Sequence, residues 1–292
     1  MRKCNSCDLA YEGASFLCPQ CKKAPLRISE FATFCSETDK FDITNFDEHT
    51  YQKMSKFEKD SFYIKSRFDL IYWCFRNYFN TPQQFLDFGG GTGFWLEQLS
   101  KLHPNIELFG TDLSIDSLHN MRRRLGSRAE IIHCDANNLP FENHFDLVGS
   151  FDVIEHIEDD LNTLCHLRSA LSEKGGLIVT VPQHMCLWSI LDVKTGHKRR
   201  YVGDELATKV RKAGFEILLD TCFMASLFIP QLISRKFMHK CPNSEPDMEH
   251  SLPHFINSIF RILLICELLL IKVGVRFPFG GLRIVVAKKV NE

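Results

Sequence analysis

The chain has 292 residues, 45% of them hydrophobic, with 35 Lys and Arg against 36 Asp and Glu, for a net charge of −1. That length can bury one large core with appendages, and the balanced charge gives no global pull toward nucleic acid or an acidic membrane. Twelve cysteines behind an N-terminus with no apolar signal segment predict a reducing compartment, the cytoplasm, and no disulfide framework.

Four cysteines come first, as Cys4-x2-Cys7, ten residues, then Cys18-x2-Cys21. Two such knuckles let four thiolates converge tetrahedrally on one Zn²⁺, and a shell closed by four cysteines is structural. The eight others are scattered through apolar segments and read as small core residues. The spacing therefore predicts a zinc-ribbon-like module over 1–28. A linker and an aromatic helix follow over 29–80, and the main domain occupies 81–292. The aromatic run from Phe62 to Phe79, closed by Thr81-Pro82, is read either as a helix packed on a sheet or as a lid.

Residues Phe85-Leu86-Asp87-Phe88-Gly89-Gly90-Gly91-Thr92-Gly93 then pair an apolar strand and an acid with alternate glycines. The segment after them has helical character. A strand–glycine loop–helix unit builds the crevice where parallel α/β sheets bind nucleotides. Phe94 stands where a dinucleotide fingerprint needs its third glycine, and no Gly-Lys-Ser/Thr follows for a P-loop. The spacing is instead D-x-G-x-G-x-G. A second strand ends at Asp112, 19 positions after Gly93, close to the ~20 expected of a ribose-binding acid. A third runs over 130–134 into Asp135-Ala136, a fourth over 145–150 into Phe151, and a fifth covers 176–181. The sixth is predicted at 215–219 and the last at 281–288. Short apolar runs alternating with helical stretches indicate a doubly wound α/β sheet.

Two stretches stand outside that pattern. The connection over 182–201 carries His184, Trp188, Asp192, His197, Arg199 and Arg200 at the edge where a substrate must arrive. The insertion over 222–279 contains an apolar segment, 255–273. At about 100° per residue, its Asn257, Ser258, Arg261 and Lys272 fall on one narrow face. The readings weighed for this segment are a cap over the substrate pocket, a helix lying in a membrane interface, and a membrane span. The longest uncharged apolar run is too short to favour the span.

The glycine loop and the acids at the strand ends resemble class I S-adenosylmethionine (SAM) methyltransferases. Asp152-Val153-Ile154-Glu155-His156 and His197-x-Arg199-Arg200-Tyr201 are similar to the ubiquinone-biosynthesis branch. The resemblance implies a seven-stranded Rossmann-like sheet with its last strand antiparallel, carrying the ribbon at one end and the helical insertion near the other. It implies that Asp87 orders the loop and favours the cationic methionine end of SAM. Gly89, Gly91 and Gly93 bring the backbone to that moiety, and Asp112 accepts the ribose hydroxyls. Asp135, with Ala136, faces the adenine amino group, and Phe151 offers backbone near the sulfonium. Ubiquinone-pathway enzymes carry acid-x-x-Glu-His at the fourth strand, matched by Asp152, Glu155 and His156. The match implies either a Mg²⁺ site or simply a helix start beneath the SAM pocket.

Methyl transfer from SAM is an in-line displacement, so alignment in a dry pocket is the main requirement. A base serves a hydroxyl or amine acceptor, and His184, then His156 and His197, are the candidates because imidazole titrates near neutrality. The acceptor is expected to be a small or lipid-like molecule, with peripheral membrane contact through 255–273. A nucleic-acid partner is disfavoured, and the oligomeric state leaves no signature. Two alternatives stay open: an RNA methyltransferase gripping its substrate with the ribbon, and a SAM-binding zinc scaffold without catalysis.

Overall fold

The computed structural model describes residues 1–35, 58, 61–240 and 253–290. In chain order, β1 (Arg2–Lys3) and β2 (Ala10–Tyr11) pair antiparallel, and β3 (Leu26–Ile28) and β4 (Phe31–Thr33) form a hairpin. Helix α1 (Phe62–Tyr78) precedes β5 (Gln84–Phe88), α2 (Phe94–Leu102), β6 (Glu107–Asp112), α3 (Ile115–Leu125) and β7 (Ala129–His133). β8 (Phe145–Phe151), α4 (Asp160–Ala170) and β9 (Leu171–Pro182) complete the parallel part. There follow the short α5 (Ile190–Lys194), α6 (Glu205–Lys212), β10 (Phe215–Phe223), α7 (Phe228–Lys240), α8 (His254–Lys272) and β11 (Leu282–Lys289).

One sheet runs in the order β10-β11-β9-β8-β5-β6-β7-β4-β3. From β9 to β7 every pairing is parallel, while β11 is antiparallel to both its neighbours. The seven strands from β5 onward are the doubly wound set that the sequence predicts. Because side chains alternate across a strand, Phe85, Leu147, Ile178 and Ile284 face a core shared with α1, α2, α3 and α8. Leu86, Val148, Val179 and Val285 face the opposite core, shared with α4 and α6. Both faces are covered, as parallel sheets require.

The linker expected from residue 29 begins differently. The β3–β4 hairpin adds two strands to the sheet, with Ala32 and Thr33 pairing parallel to Ile132 and His133 of β7. An uncovered β7 would present a row of unpaired backbone groups, and the hairpin satisfies them. The rest of that linker, apart from Glu58, lies outside the described residues, as do 241–252 of the insertion. Ahead of the hairpin the two-knuckle module docks on the core. The Arg2 guanidinium makes two hydrogen bonds to Glu130, at 2.8 and 2.7 Å, and lies 4.0 Å over the Phe16 ring.

Helix α8 reverses the orientation that its apolar composition suggests. It runs alongside α1 in the same direction, with Leu264, Glu267, Leu268 and Ile271 buried. Two residues of its polar stripe, Asn257 and Arg261, turn toward α1, while Ser258 and Lys272 are exposed. Asn257 accepts from the Phe62 amide at 3.0 Å, and Arg261 bonds Ser66 at 2.7 Å and pairs with Asp69. Apolar side chains point outward instead, among them Phe255 (75% exposed), Ile262 (60%), Leu269 (53%) and Val273 (79%). The helix therefore packs on α1, and the cap reading is replaced by an apolar face turned to solvent.

Candidate active site at the carboxyl edge of the sheet

The glycine loop leaves β5 and must turn at once, so Gly89, Gly91 and Gly93 take φ of 74°, 54° and 76°, a region that side chains disfavour. The amides of Gly89 and Gly90 both donate to the Thr111 carbonyl at 2.9 Å, which ties the loop to β6. A Cβ at Gly89 would come within 2.5 Å of Val153, and one at Gly93 within 2.8 Å of Met121. At Gly91 a Cβ would meet nothing within 4 Å. The loop thus packs at its two ends and opens to free space at its middle.

Two acids frame that opening. Asp112 Oδ2 accepts from the Gly91 amide at 2.9 Å, and its Oδ1 accepts from Ser114 at 2.8 Å. Ser117 and the Leu113 backbone also hydrogen-bond this carboxylate, which fixes it beside the opening. Burial raises the Asp112 pKa, with the Ser114 and Gly91 amides opposing it. Asp87 lies beneath the loop, 1% exposed, with Oδ2 unpartnered. Burial, then the Asp112 charge, pushes its pKa up to about 7 against the opposing pull of Arg67. An orphaned buried carboxylate beside an open backbone cradle fits a ligand with a cationic end, as SAM has. Thr92 donates to Glu58 Oε1 at 2.5 Å, and Arg124 pairs with the other Glu58 oxygen, holding a residue from before α1 against the loop.

Asp135 has mainly a local task. Its Oδ1 accepts from the amides of Asn137 and Asn138 at 2.7 and 3.0 Å, and Oδ2 accepts from the Asn138 side chain at 2.9 Å. It caps the turn that contains the buried Ala136. Phe151 ends β8 and packs on Trp95, ring centroids 4.9 Å apart, which in turn stacks on Phe68 of α1 at 4.7 Å. α1 is thus core in its second half and a wall of the site in its first.

Asp152 has φ +59°, backbone strain of the kind that persists where surroundings hold it. They do: Arg67 pairs with Asp152 Oδ2 at 2.8 Å, and Thr180 donates to Oδ1 at 2.9 Å. Asp152 is therefore committed to α1 and β9, away from the acid-x-x-Glu-His ligand set that the resemblance allows. Arg67 gave no sequence signal, because its partner lies far along the chain.

Of the three histidines, the fold brings together His156 and His197, whose rings meet edge to face at 4.8 Å. His184 stands apart from them, against Phe228 at 5.3 Å, with Nε2 buried and unpartnered. Burial, then Arg283 and Arg200, lowers its pKa. Burial and the neighbouring His197 push His156 down to about 4. The His197-x-Arg199-Arg200-Tyr201 segment works as an anchor. His197 and Arg200 bond Asp192 Oδ1 at 2.8 and 2.7 Å, while Arg199 and Tyr201 reach Asp160 at 3.0 and 2.5 Å. Burial would raise the Asp192 carboxyl, but the bonds from His197 and Arg200 hold it well below the usual carboxylate range.

At the far end of the chain, the cysteine sulfurs of the two knuckles approach one another: Cys4 to Cys21 and Cys7 to Cys18, each at 3.6 Å. Zn–S bonds of about 2.3 Å in a tetrahedron require S···S edges near ~3.8 Å. Residues Cys4, Cys7, Cys18 and Cys21 therefore could hold one zinc with little movement.

Residues 45–219, more than half of the chain, match the family described as Methyltransferase domain. The malonyl-[acyl-carrier protein] O-methyltransferase of Legionella pneumophila is 32% identical over 103 residues, 34% of this chain and 36% of that protein. The demethylmenaquinone methyltransferase of Thermotoga maritima is 32% identical over 99 residues, 34% of this chain and 43% of that protein. The chain thus spans less than half the length of these curated relatives. Among solved structures, phosphoethanolamine N-methyltransferase 2 of Haemonchus contortus in complex with SAM superposes with a TM-score of 0.58. That match has 20% identity and covers 88% of this chain and 60% of that one.

Proposed function

We propose that this chain, which belongs to the Methyltransferase domain family, transfers the methyl group of SAM to a small or lipid-like acceptor at the carboxyl edge of its sheet. The observation that carries this reading is the glycine loop. It is open only at Gly91, with the unpartnered Asp87 carboxylate beneath it and Asp112 beside it. Asp87 would face the cationic methionine end of SAM, Asp112 the ribose, and Asp135 the adenine amino group. SAM supplies an electrophilic methyl on a sulfonium. The chain's contribution is to align the acceptor and exclude water, for which the Phe68–Trp95–Phe151 stack forms an apolar wall. If the acceptor must lose a proton, His184 has the free nitrogen for it.

The outward face of α8 supports a lipid-like acceptor met at a membrane surface. The one acid of α8, Glu267, is buried, whereas Lys272 and Arg276 at its end are exposed. An apolar helix face bordered by cations suits the interface of an anionic bilayer. No helix among the described residues is long and apolar enough to cross a membrane. The two curated relatives are named for a malonyl-acyl carrier protein and for demethylmenaquinone. The ribbon's Arg2 is turned onto Glu130, which does not favour a nucleic-acid grip.

The test is mass spectrometry of lipid extracts and polar metabolites incubated with the protein and SAM. The expected outcome is a +CH₂ product that Asp112→Ala abolishes. SAM binding with no product from either pool would point to the non-catalytic scaffold, and no SAM binding would remove the reading.

A further inference from the structure

Two buried polar atoms near the carboxyl end of β9 have no hydrogen-bond partner among the described residues: His184 Nε2 and Gln231 Oε1 of α7. Phe228 and Gln231 stand three apart on α7 and so share a face. Phe228 meets the His184 ring at 5.3 Å. Gln231 packs on Gly281, whose carbonyl accepts from the Gln183 amide at 3.1 Å. Both orphaned atoms thus lie where the end of β9 meets the start of β11. Building on the transferase reading, we propose that Gln231 and His184 together recognise the head of the acceptor, an apolar molecule carrying two adjacent uncharged donors, O–H or N–H, one for each atom.

The packing of Gln231 is the first reason. A Cβ at Gly281 would collide with Gln231 Oε1, yet the backbone at Gly281 is not in the left-handed region that calls for glycine. Room for the amide is what a glycine provides there. The amide nitrogen reaches the Met224 sulfur at 3.6 Å, a weak acceptor, while the oxygen receives no donor. A buried acceptor left open is destabilising, and a bound donor removes that cost. The second reason is that the neighbouring donors are committed. Arg283 makes two bonds to Asp220, at 2.7 and 2.6 Å, and Arg200 bonds Asp192 at 2.7 Å. Burial, then these two cations, lowers the His184 pKa and favours the neutral ring. With its proton on Nδ1, a neutral imidazole presents Nε2 as an acceptor. Two acceptors without a donor call for two hydrogens from the ligand, and the same cations disfavour an ammonium as their source.

The apolar part of the ligand follows from what surrounds the two atoms. Phe228 meets Phe279 edge to face at 5.7 Å, and Phe279 is exposed, as are Ile229 and Ile233 of α7. An apolar surface therefore leads from the buried imidazole to solvent. The exposed Val273 and Val275 continue it to the outward face of α8. The occupant that suits this surface is the acceptor's own chain, lying along the face proposed to meet a bilayer with its head at His184 and Gln231.

The test is calorimetric titration of the full chain, loaded with S-adenosylhomocysteine, with octane-1,2-diol, octan-1-ol and propane-1,2-diol. Octane-1,2-diol should bind about 5–150-fold more tightly than octan-1-ol, because its second hydroxyl meets an acceptor already stripped of water. It should bind at least ~50-fold more tightly than propane-1,2-diol, each buried methylene contributing roughly fourfold. Gln231→Leu should erase the preference over octan-1-ol while the melting temperature holds, and Phe279→Ser should weaken both eight-carbon ligands alike. No preference for octane-1,2-diol over octan-1-ol in the unaltered chain overturns the proposal, as does a preference that survives Gln231→Leu. If S-adenosylhomocysteine binds in those cases, the transferase reading stands; if it does not, both fall. Should Gln231→Leu fail to fold, NMR of the unaltered chain decides. Octane-1,2-diol should shift the Gln231 side-chain amide and the His184 imidazole together; an unmoved Gln231 amide refutes the assignment.

Discussion

Replacing Asp87 by Asn should have opposite effects on stability and on ligand binding. Asp87 is 1% exposed, and burial with the neighbouring Asp112 charge raises its pKa from 3.8 to about 7. Below pH 3.8 folded and unfolded chains both hold the proton, and the group contributes nothing. Between 3.8 and about 7 the unfolded chain ionises first, so stability falls as pH rises. Above 7 the full deficit is present: about three pKa units at ~1.36 kcal/mol each, or about 4 kcal/mol. Asn has the same shape without the charge, so Asp87→Asn should recover most of that deficit at pH 8 and little of it at pH 4. A SAM ammonium, by contrast, selects the ionised carboxylate. Wild-type affinity should therefore fall by up to tenfold per pH unit below about 7 and level off above it. The Asn variant should lose a charged hydrogen bond of about 1.5–3 kcal/mol, roughly 10–150-fold in affinity at pH 8, together with the pH dependence. Denaturant melts and calorimetric SAM titrations at pH 5.5, 7 and 8 measure both effects. A variant no more stable than wild type at pH 8, or a wild-type affinity flat across that range, would refute the reasoning.

Four further outcomes follow from the geometry. Asp112→Ala removes the Gly91 anchor together with the proposed ribose acceptors and should weaken SAM binding by about 3–6 kcal/mol, or ~10²–10⁴-fold, by calorimetry. Glu267 accepts from the amides of Ala225 and Ser226 at 3.0 Å and from the Ser226 hydroxyl at 2.8 Å. Glu267→Ala strands those donors and should cost about 3 kcal/mol, a Tm drop of roughly 6–12 °C. A chelator strong enough to strip zinc from Cys4, Cys7, Cys18 and Cys21 should remove hydrogen-exchange protection over residues 3–18 while SAM affinity changes by less than about threefold; retained protection would argue that the knuckles fold without metal. Ile262→Glu on the outward face of α8 should reduce co-sedimentation with anionic vesicles about 30-fold, from a ~2 kcal/mol loss of apolar burial. The melting temperature should not move, and equal binding by the variant would remove the membrane contact.

The parts of this fold that were readable in the sequence are the locally determined ones. Strands β5 to β11 announce themselves as short apolar runs, and the loop glycines are required by a turn that involves only their own φ. What escaped depends on partners far away in the chain. A three-residue strand such as β4 carries almost no periodicity, and only the exposed edge of β7 makes it a strand. The helical spacing of α8 grouped Asn257 and Arg261 together, but Ser258 and Lys272, placed on the same face by it, are exposed. It could not say which face turns inward, because that was settled by Ser66, Asp69 and the Phe62 amide on α1. In the site, Glu155 and His156 are adjacent in the sequence, whereas His197 lies on a separate segment. Nothing before the fold joined them, or set Arg67 on Asp152. Asp135 was legible as an acid at a strand end, but the sequence did not show that its oxygens mostly serve the turn that follows.

The docking of Arg2 on Glu130 spans 128 residues of chain, and this separation matters during synthesis. At ~5–20 residues per second, the knuckle module leaves the ribosome about 6–26 s before its counterpart on β7 exists. The βαβ units from β5 to β7 can assemble from neighbours as they emerge, but the β3–β4 hairpin has no sheet to join until β7 is made. Throughout that interval the module relies on itself, on the β1–β2 pairing and the small cluster of Cys4, Tyr11 and Cys18, and a metal held by its four thiolates would add to these. Metal supply during translation would then govern how often the finished sheet closes with its edge covered.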